Sequence, residues 1–189
     1  EMYRQIDSRL GPLTALVNNA GVVDVAARVD EMDVTRLRRM FDTNLLGSFI
    51  CAREALLRMS TRHGGKGGSI VILSSTAGRR GTAALSPYIT SKHAVVGLMK
   101  CAALEGAADN IRVNCVNPGP IETRMMRQIE ANASPEAPGD MKALLISRIP
   151  LQRYGEAEEV AEMIAFLGSS ASSYCTGNIY GVDGGLTAG

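Results

Sequence analysis

The sequence lacks the features that mark membrane-spanning, secreted and nucleic-acid-binding proteins. No apolar run is long enough to span a bilayer, and the chain does not open with the charged and then apolar pattern of a signal peptide. The formal net charge is only +1 at pH 7, which gives no reason to expect nucleic acid or an anionic membrane as a partner. We therefore expect a cytoplasmic protein without a leader.

Cysteine pairs of the C-x-x-C type are also absent, and no cluster of metal ligands is recognisable. Each of the four cysteines lies in an apolar stretch, which predicts reduced thiols in the core and no metal site. These cysteines are Cys51, Cys101, Cys115 and Cys175. With 46% apolar and 21% charged residues, the 189-residue chain has the composition of one globular domain.

What is present is an alternation of strand-like and helix-like segments. Short apolar runs predict buried strands at 13–17 and 69–74, and strand-like segments follow at 111–116 and 178–182. Apolar residues with helical spacing predict helices at 1–10, 34–62, 88–107 and 156–167. Asp33 is the expected N-cap of the second of these helices. This order predicts the α/β class, with a doubly wound parallel sheet between two layers of helices.

A methionine-rich and irregular segment, residues 124–150, interrupts this alternation. Residues 133–140 contain two prolines and a glycine, so they should divide the segment into two short helices. Methionine fills irregular apolar space well. The segment is therefore either a lid over a mainly apolar substrate or ordinary packing.

Three polar residues in the centre of the chain have a specific chemical meaning if they meet. Tyr88 and Lys92 are one helical turn apart, and Ser75 follows a strand at the carboxyl edge where open α/β sheets bind ligands. A lysine cation favours the phenolate and lowers the tyrosine pKa, so Tyr88 would exchange a proton with an alcohol or carbonyl oxygen. No side chain carries a hydride, so a nicotinamide is implied. The same spacing also occurs on any helix with one amphipathic face.

Three further positions admit both a structural and a functional interpretation. The N-N-A-G segment at 18–21 is either a simple turn or a point where a ligand approaches the backbone. Asn44 interrupts an apolar stripe, so its amide is either a structural hydrogen-bonding group or part of a site. Thr123 ends the rigid turn at 117–123, where it would cap the next helix, bind a carboxamide, or do both.

Together these motifs resemble the short-chain dehydrogenase/reductase family. The segments N-N-A-G, Y-x-x-x-K and N-P-G-x-I-x-T occur in the family's order at 18–21, 88–92 and 117–123, with Asn44 and Ser75 between them. The resemblance covers essentially the whole chain, since Y-G-x-x-E-E-V-A and V-D-G-G follow near the end. It implies a Rossmann-type fold and one domain over 1–189, with 124–150 as a lid-like segment.

The resemblance also implies roles for individual residues. Tyr88 would be the general acid/base, Lys92 would lower its pKa and bind the nicotinamide ribose, and Ser75 would orient the substrate oxygen. Asn44 would hold a water that links Lys92 to solvent. Further cofactor-binding positions would be Asn19, Ala20 and Gly21 beside the adenine-side ribose, and Pro118, Gly119, Ile121 and Thr123 around the nicotinamide.

The sequence departs from the family pattern in one respect. Family members begin with a strand, a glycine-rich phosphate turn of the T-G-x-x-x-G-x-G type and two more strands, which cradle the pyrophosphate and select NAD or NADP. Residues 1–189 contain no such half, so the first strand here would be an exposed sheet edge. We hypothesise that the native protein is longer by about 70–80 residues, the usual extent of that half, and that this chain is the C-terminal ~70% of the domain.

The function implied is an oxidoreductase that transfers a hydride between NAD or NADP and a secondary alcohol or its ketone. The substrate would be a small molecule of the 3-oxoacyl thioester, sugar or cyclic alcohol type. The alternative is an inactive or truncated scaffold of the family that oligomerises or binds a partner without catalysis. A homotetramer or homodimer is expected, formed through the helices that carry Asn44 and Tyr88 and through the last strand.

Overall fold

Four parallel strands form the centre of the computed structural model, which describes residues 1–188. These strands are β1 (Ala15–Asn18), β2 (Gly68–Leu73), β3 (Ile111–Pro118) and β4 (Ile179–Val182). Their order in the sheet is the order in the chain, and each neighbouring pair is parallel. The predicted α/β class with a parallel sheet is therefore confirmed. Gly189, the last residue of the predicted domain, lies outside the described residues.

Seven α-helices lie within residues 1–188. They are α1 (Met2–Arg9), α2 (Val34–Phe41), α3 (Gly47–Met59), α4 (Ser86–Gly106), α5 (Arg124–Ala133), α6 (Pro138–Ser147) and α7 (Ala157–Gly168). The predicted helix over 34–62 is present as α2 and α3, joined by one π-helical turn at Asp42–Leu46. The two short helices expected in 124–150 are α5 and α6. None of these helices has the length and apolarity that crossing a bilayer requires.

Local sequence explains where the helices near the site begin. The Asp33 side chain accepts a hydrogen bond from the Thr35 amide at 3.0 Å and caps α2, as predicted. Pro87 lies in the first turn of α4, where a missing N–H costs no hydrogen bond and the ring favours the helical φ angle. Helix α4 therefore starts immediately before Tyr88, which is in its first turn.

The core lies on both faces of the two central strands. Ile70, Ile72, Val113 and Cys115 point towards α3 and α4, where they form one apolar cluster with residues such as Met59 and Met99. The alternate positions, Val71, Leu73 and Val116, form a second cluster with Val160 and Leu167 of α7. Because β2 buries both faces, its sequence is a nearly continuous apolar run, whereas β3 also carries the polar residues Arg112, Asn114 and Asn117. Helices on both faces make the three layers that were predicted.

The interpretation of the first strand as buried is wrong, and the other expectation, an exposed sheet edge, is confirmed for residues 1–188. Of the four residues of β1 only Asn18 is buried, and Val17 is 47% exposed. The physical reason is position, because β1 pairs only with β2 and lies at an edge of the sheet within the described chain.

The prediction of four core cysteines is wrong for three of them. Cys115 on β3 is buried, whereas Cys51 and Cys175 are half-buried and Cys101 is exposed. Cys101 lies on the side of α4 that is turned away from the sheet, so an apolar sequence neighbourhood did not mean burial. All four thiols are free.

Candidate active site

Ser75, Tyr88 and Lys92 meet near the carboxyl end of β2. Ser75 follows this strand directly and caps a short 3-10 turn, Thr76–Gly78, by accepting a hydrogen bond from the Ala77 amide at 3.1 Å. The Lys92 Nζ atom lies 5.6 Å from the centre of the Tyr88 ring, and Ser75 is close enough to the Tyr88 hydroxyl to affect its pKa. The structure thus brings together the three side chains that the sequence singled out.

Burial dominates the electrostatics of this group. It raises the pKa of the Tyr88 hydroxyl above its usual value, and the interaction with Ser75 offsets this only in part. It also lowers the pKa of Lys92 to about 8, because the buried ammonium group loses its hydration. The expected lowering of the Tyr88 pKa by Lys92 is therefore wrong for this structure. Burial raises the pKa of the neighbouring Cys115 thiol to about 12, so at neutral pH Cys115 offers Lys92 no counter-charge.

The Lys92 ammonium group lies between the end of β2 and the loop that follows β1. Its Nζ atom donates a hydrogen bond to the Leu73 carbonyl at 2.9 Å. Gly21 is a close neighbour, since a Cβ atom there would lie 3.5 Å from Lys92 Nζ and 3.6 Å from Asn44 Oδ1. The absence of a side chain at Gly21 leaves room beside the ammonium group.

Asn44 is buried in the π-helical turn and connects three segments. Its Oδ1 atom accepts from the Val22 amide at 2.8 Å, and its Nδ2 atom donates to the Val22 carbonyl at 2.9 Å. The same Nδ2 atom also donates to Ser91 Oγ on α4 at 3.1 Å. Turns of this π-helical type are frequent at functional sites. The Asn44 amide is thus a structural hydrogen-bonding group, and its role in a water relay stays a prediction.

The N-N-A-G segment leaves the sheet at its carboxyl edge. Asn18 is buried, and its Nδ2 atom donates to the Ser48 carbonyl on α3 at 2.8 Å, which fixes the end of β1. Asn19 and Ala20 are exposed, and Gly21 is half-buried. The residues expected beside a cofactor therefore lie at the surface, while their neighbour Asn18 is used for structure.

The turn after β3 packs tightly against the end of β4. A Cβ atom at Gly119 would lie 2.9 Å from the backbone Cα of Asp183, so only glycine fits there, next to the half-buried Pro118. The Ile121 side chain is buried in the cluster under α7. The Thr123 hydroxyl donates to the Ile121 carbonyl and accepts from the Met126 amide at 3.4 Å. The capping role considered for Thr123 is confirmed, and carboxamide binding stays a prediction.

Two residues at this site were not singled out from the sequence. Ser91 Oγ donates to the Tyr88 carbonyl at 2.7 Å and so joins Asn44 to α4. Asn117 at the end of β3 is buried, and neither polar atom of its side chain has a hydrogen-bond partner in the protein. For Asn117, the sequence did offer a signal, namely a polar residue at the end of a predicted strand and next to Pro118.

Comparison with known proteins places the chain in a family. The family model described as enoyl-(acyl carrier protein) reductase matches residues 1–187. An uncharacterized oxidoreductase of Escherichia coli, YgfF, is 43% identical, and the alignment covers 97% of this chain and 72% of that protein. The cis-4-hydroxycyclohexanecarboxylate dehydrogenase of Sinomonas cyclohexanicum is 39% identical, with coverage of 96% and 68%.

Solved structures agree with these relatives. Levodione reductase superposes with a TM-score of 0.94 at 32% identity, covering 98% of this chain and 71% of that one. ElxO with NADP bound has a TM-score of 0.87 at 32% identity, covering 100% and 73%. The chain belongs to the short-chain dehydrogenase/reductase family, and its sheet is of the Rossmann type. Family membership and the NADP-bound neighbour support the predicted use of NAD or NADP.

The residues at the carboxyl edge of the sheet fit the nicotinamide end of such a cofactor. Gly21 keeps the end of β1 free of a side chain beside Lys92, where a ribose needs close approach to the backbone. Lys92 Nζ carries three donors, and the Leu73 carbonyl accepts from one of them. Ribose hydroxyls are suitable acceptors for the others.

Proposed function

We propose that the protein is an oxidoreductase that interconverts a secondary alcohol and its ketone with NAD or NADP, and that Tyr88 is its general acid/base. The observation that carries this proposal is the meeting of Ser75, Tyr88 and Lys92 beside one strand end. Open α/β sheets bind ligands at that edge. Membership of the short-chain dehydrogenase/reductase family supports the same chemistry.

Two of these three side chains, Ser75 and Tyr88, act directly on the substrate oxygen. The Ser75 hydroxyl donates a hydrogen bond to the substrate oxygen and holds it against the Tyr88 hydroxyl. In reduction, Tyr88 gives its proton to the carbonyl oxygen, and in oxidation it takes the proton from the alcohol. The raised pKa of Tyr88 keeps the phenol protonated at neutral pH, which suits the donor role. The bound nicotinamide supplies or accepts the hydride.

The remaining predicted residues hold the cofactor and move protons. Lys92 binds the nicotinamide ribose through Nζ, and Asn44 binds a water that connects Lys92 to solvent. Asn19, Ala20 and Gly21 lie beside the adenine-side ribose, and Pro118, Gly119, Ile121 and Thr123 surround the nicotinamide and its carboxamide. The positions of these residues at the ends of β1 and β3 support the assignment.

We propose that residues 124–150 are a lid and that the substrate is a cyclic alcohol or ketone rather than a sugar or a 3-oxoacyl thioester. The lid helices carry half-buried apolar side chains, including Met125, Met126 and Met141, which suit an apolar ring. The relative from Sinomonas cyclohexanicum is named as the dehydrogenase of a hydroxycyclohexane carboxylate, which supports this class.

We also propose that a second copy of the chain covers a groove between α3 and α4. The groove measures about 870 Å³ and is lined mainly by apolar side chains. Phe49 and Leu57 beside it are 52% and 39% exposed, and charged Arg53 and Glu105 lie at its rim. An exposed apolar area with a polar rim is typical of a protein interface.

We also propose a cytoplasmic location. The four free thiols support it, because thiols stay reduced there.

The direct test uses the product of the complete coding sequence. Ketones and secondary alcohols from each of the three substrate classes are mixed with NAD(H) or NADP(H), and absorbance at the nicotinamide band is followed. Turnover of cyclohexanols that is lost in Tyr88→Phe supports the proposal. No nucleotide binding by this protein would favour the scaffold instead.

A further inference from the structure

Asn117 is the one side chain among residues 1–188 whose polar atoms are buried without any hydrogen-bond partner in the protein. It is 1% exposed, so solvent at the surface does not satisfy it. A buried amide without a partner is destabilising, and native proteins almost always satisfy such groups with protein groups, ordered water or a ligand. Asn117 therefore needs a partner from outside the chain.

Strand geometry shows which side of the sheet this amide faces. Side chains alternate along β3, and Val113 and Cys115 point towards α3 and α4, so Asn117 points the same way. The Ser74 amide donates to the Val116 carbonyl at 2.9 Å, which continues the pairing of β2 with β3 and brings Ser74 alongside Asn117. Ser74 Oγ donates to the Lys92 carbonyl at 2.9 Å. Asn117 thus lies in the layer that holds the catalytic residues.

Asn117 has a different neighbour on each adjacent strand. On one side, it pairs with Gly181 of β4, which has no side chain to fill the neighbouring position. On the other side lies Ser74, against which the Thr76–Gly78 turn packs, since a Cβ atom at Gly78 would overlap Ser74 Oγ. The 3-10 turn that Ser75 caps, Thr76–Gly78, contacts β3 here.

We propose that Asn117 holds an ordered water beneath the Thr76–Gly78 turn and, through it, fixes the position of Ser75. Asn117 is then a positioning residue, since it acts through Ser75 and does not touch the substrate. A buried water needs two to four polar partners, and the Asn117 amide, Ser74 Oγ and the backbone of residues 74–78 supply them. The expected effect of Asn117 on catalysis rests on the proposed function, whereas the bound water does not.

The first test is a crystal structure of the wild-type protein at a resolution that shows ordered water, with and without the nicotinamide nucleotide. We expect a water within hydrogen-bond distance of Asn117 Nδ2 or Oδ1 and of a polar atom in residues 74–78. Direct pairing of both amide atoms with protein or nucleotide would overturn the proposal. This readout does not require activity, so it is separate from the fate of the proposed function.

The second test compares two substitutions at the same position. Asn117→Leu keeps the volume and removes the polar atoms, while Asn117→Ser keeps a hydroxyl and leaves room for water. We expect kcat to fall about tenfold in Asn117→Leu, as for one lost orienting hydrogen bond, with the nucleotide KM within twofold of wild type. Asn117→Ser should stay within about threefold of wild-type kcat. Equal kcat in all three proteins would contradict the inference, and if Asn117→Leu does not fold, the serine variant and the crystal structure decide.

Asn114 supplies a matched control on the same strand. Its Nδ2 atom donates to the Cys175 carbonyl at 2.7 Å, and its Oδ1 atom accepts from the Asn178 amide at 3.2 Å, so its role is structural. Asn114→Leu should lower the unfolding temperature and leave kcat of the folded enzyme unchanged. The pH profile of Asn117→Leu should keep its apparent pKa values, because Ser75 does not titrate in the working range.

Discussion

Lys92 on α4 and Leu73 at the end of β2 are joined by a hydrogen bond of 2.9 Å from Nζ to the backbone carbonyl. This bond connects the helix that carries Tyr88 to the strand that leads into Ser75. One carbonyl does not replace the hydration shell of an ammonium group, so the pKa of Lys92 falls to about 8. The cation is thus held in place beside the phenol at a cost in electrostatic free energy.

Replacement of Tyr88 by phenylalanine should strongly reduce kcat without affecting the fold. Loss of a general acid/base costs about 10²- to 10⁴-fold in kcat. The ring of Tyr88 packs in the same way in the variant, so the unfolding temperature should change little. The measurement is nicotinamide absorbance with the best cyclohexanol substrate. Tyr174→Phe is the matched control, because Tyr174 is fully exposed and should keep full activity. Activity retained in Tyr88→Phe would remove Tyr88 from the mechanism.

Lys92 predicts a pH dependence of the free energy of unfolding. Its pKa is about 8 in the folded chain against an ordinary value of 10.5, so between these values the unfolded chain binds more protons. The free energy of unfolding contributed by this group therefore rises as pH increases from 8 to 10.5, and below pH 8 the full penalty of the buried cation applies. The change amounts to about 3 kcal/mol at most.

Lys92→Met isolates that contribution, because methionine fills the space without a charge. Denaturant unfolding of both proteins at pH 7.5, 9 and 10 measures this effect. The free energy of unfolding of wild type should rise relative to that of the variant as pH increases. A difference between the two proteins that does not depend on pH would mean that the pKa of Lys92 is not lowered in the folded state.

The proposed lid, residues 124–150, should depend on a buried hydrogen bond between Tyr154 and Glu130. The Tyr154 hydroxyl donates to Glu130 Oε1 at 2.8 Å, and both residues are buried. Tyr154→Phe leaves the carboxylate without this partner, so the free energy of unfolding should fall by about 1–3 kcal/mol. Amide hydrogen exchange in α5, which carries Glu130, should accelerate more than in α4.

The double variant Glu130→Leu with Tyr154→Phe is the control for this pair. It removes both polar partners, so its free energy of unfolding should recover towards that of wild type. The loss in free energy of unfolding in the double variant is compared with the sum of the losses in the two single variants. If the two are equal, this hydrogen bond does not hold the proposed lid.

The groove between α3 and α4 predicts a charge-sensitive oligomer. Phe49→Glu places a carboxylate at a half-exposed apolar position of the groove, and burying it in an interface would be costly. Light scattering coupled to size exclusion should show a dimer or tetramer for wild type and a smaller species for the variant. Val29→Glu is the control, since Val29 is 76% exposed outside the groove and should leave the mass unchanged. A monomeric wild type would contradict the proposed second copy.

Most of the fold follows from local patterns in the chain. The apolar run of β2, the strand-like run of β3 and the periodic stretch of α4 predicted these elements within a few residues. Burial of a strand or of one helix face imposes a regular spacing of apolar residues on the sequence. The spacing of Tyr88 and Lys92 likewise placed them on one helix face. The edge position of β1 was predictable only by reference to the strands that family members carry before it.

Other parts of the site required the three-dimensional arrangement. Ser91 meets Asn44 across 47 residues of sequence, and no local pattern announces such a contact. Cys101 and Cys115 were both expected in the core, yet Cys101 faces the groove from the outer side of α4 and only Cys115, on the central strand β3, is buried.

By itself, the sequence determined the order of the elements, the family and the three side chains proposed to react, since these depend on residue type and on spacing along the chain. Only the tertiary structure decided the direction of the pKa shifts of Tyr88 and Lys92 and the isolation of the Asn117 amide. The physical reason is that solvation and hydrogen bonding depend on what surrounds an atom in space, and the neighbours of these groups come from distant parts of the chain.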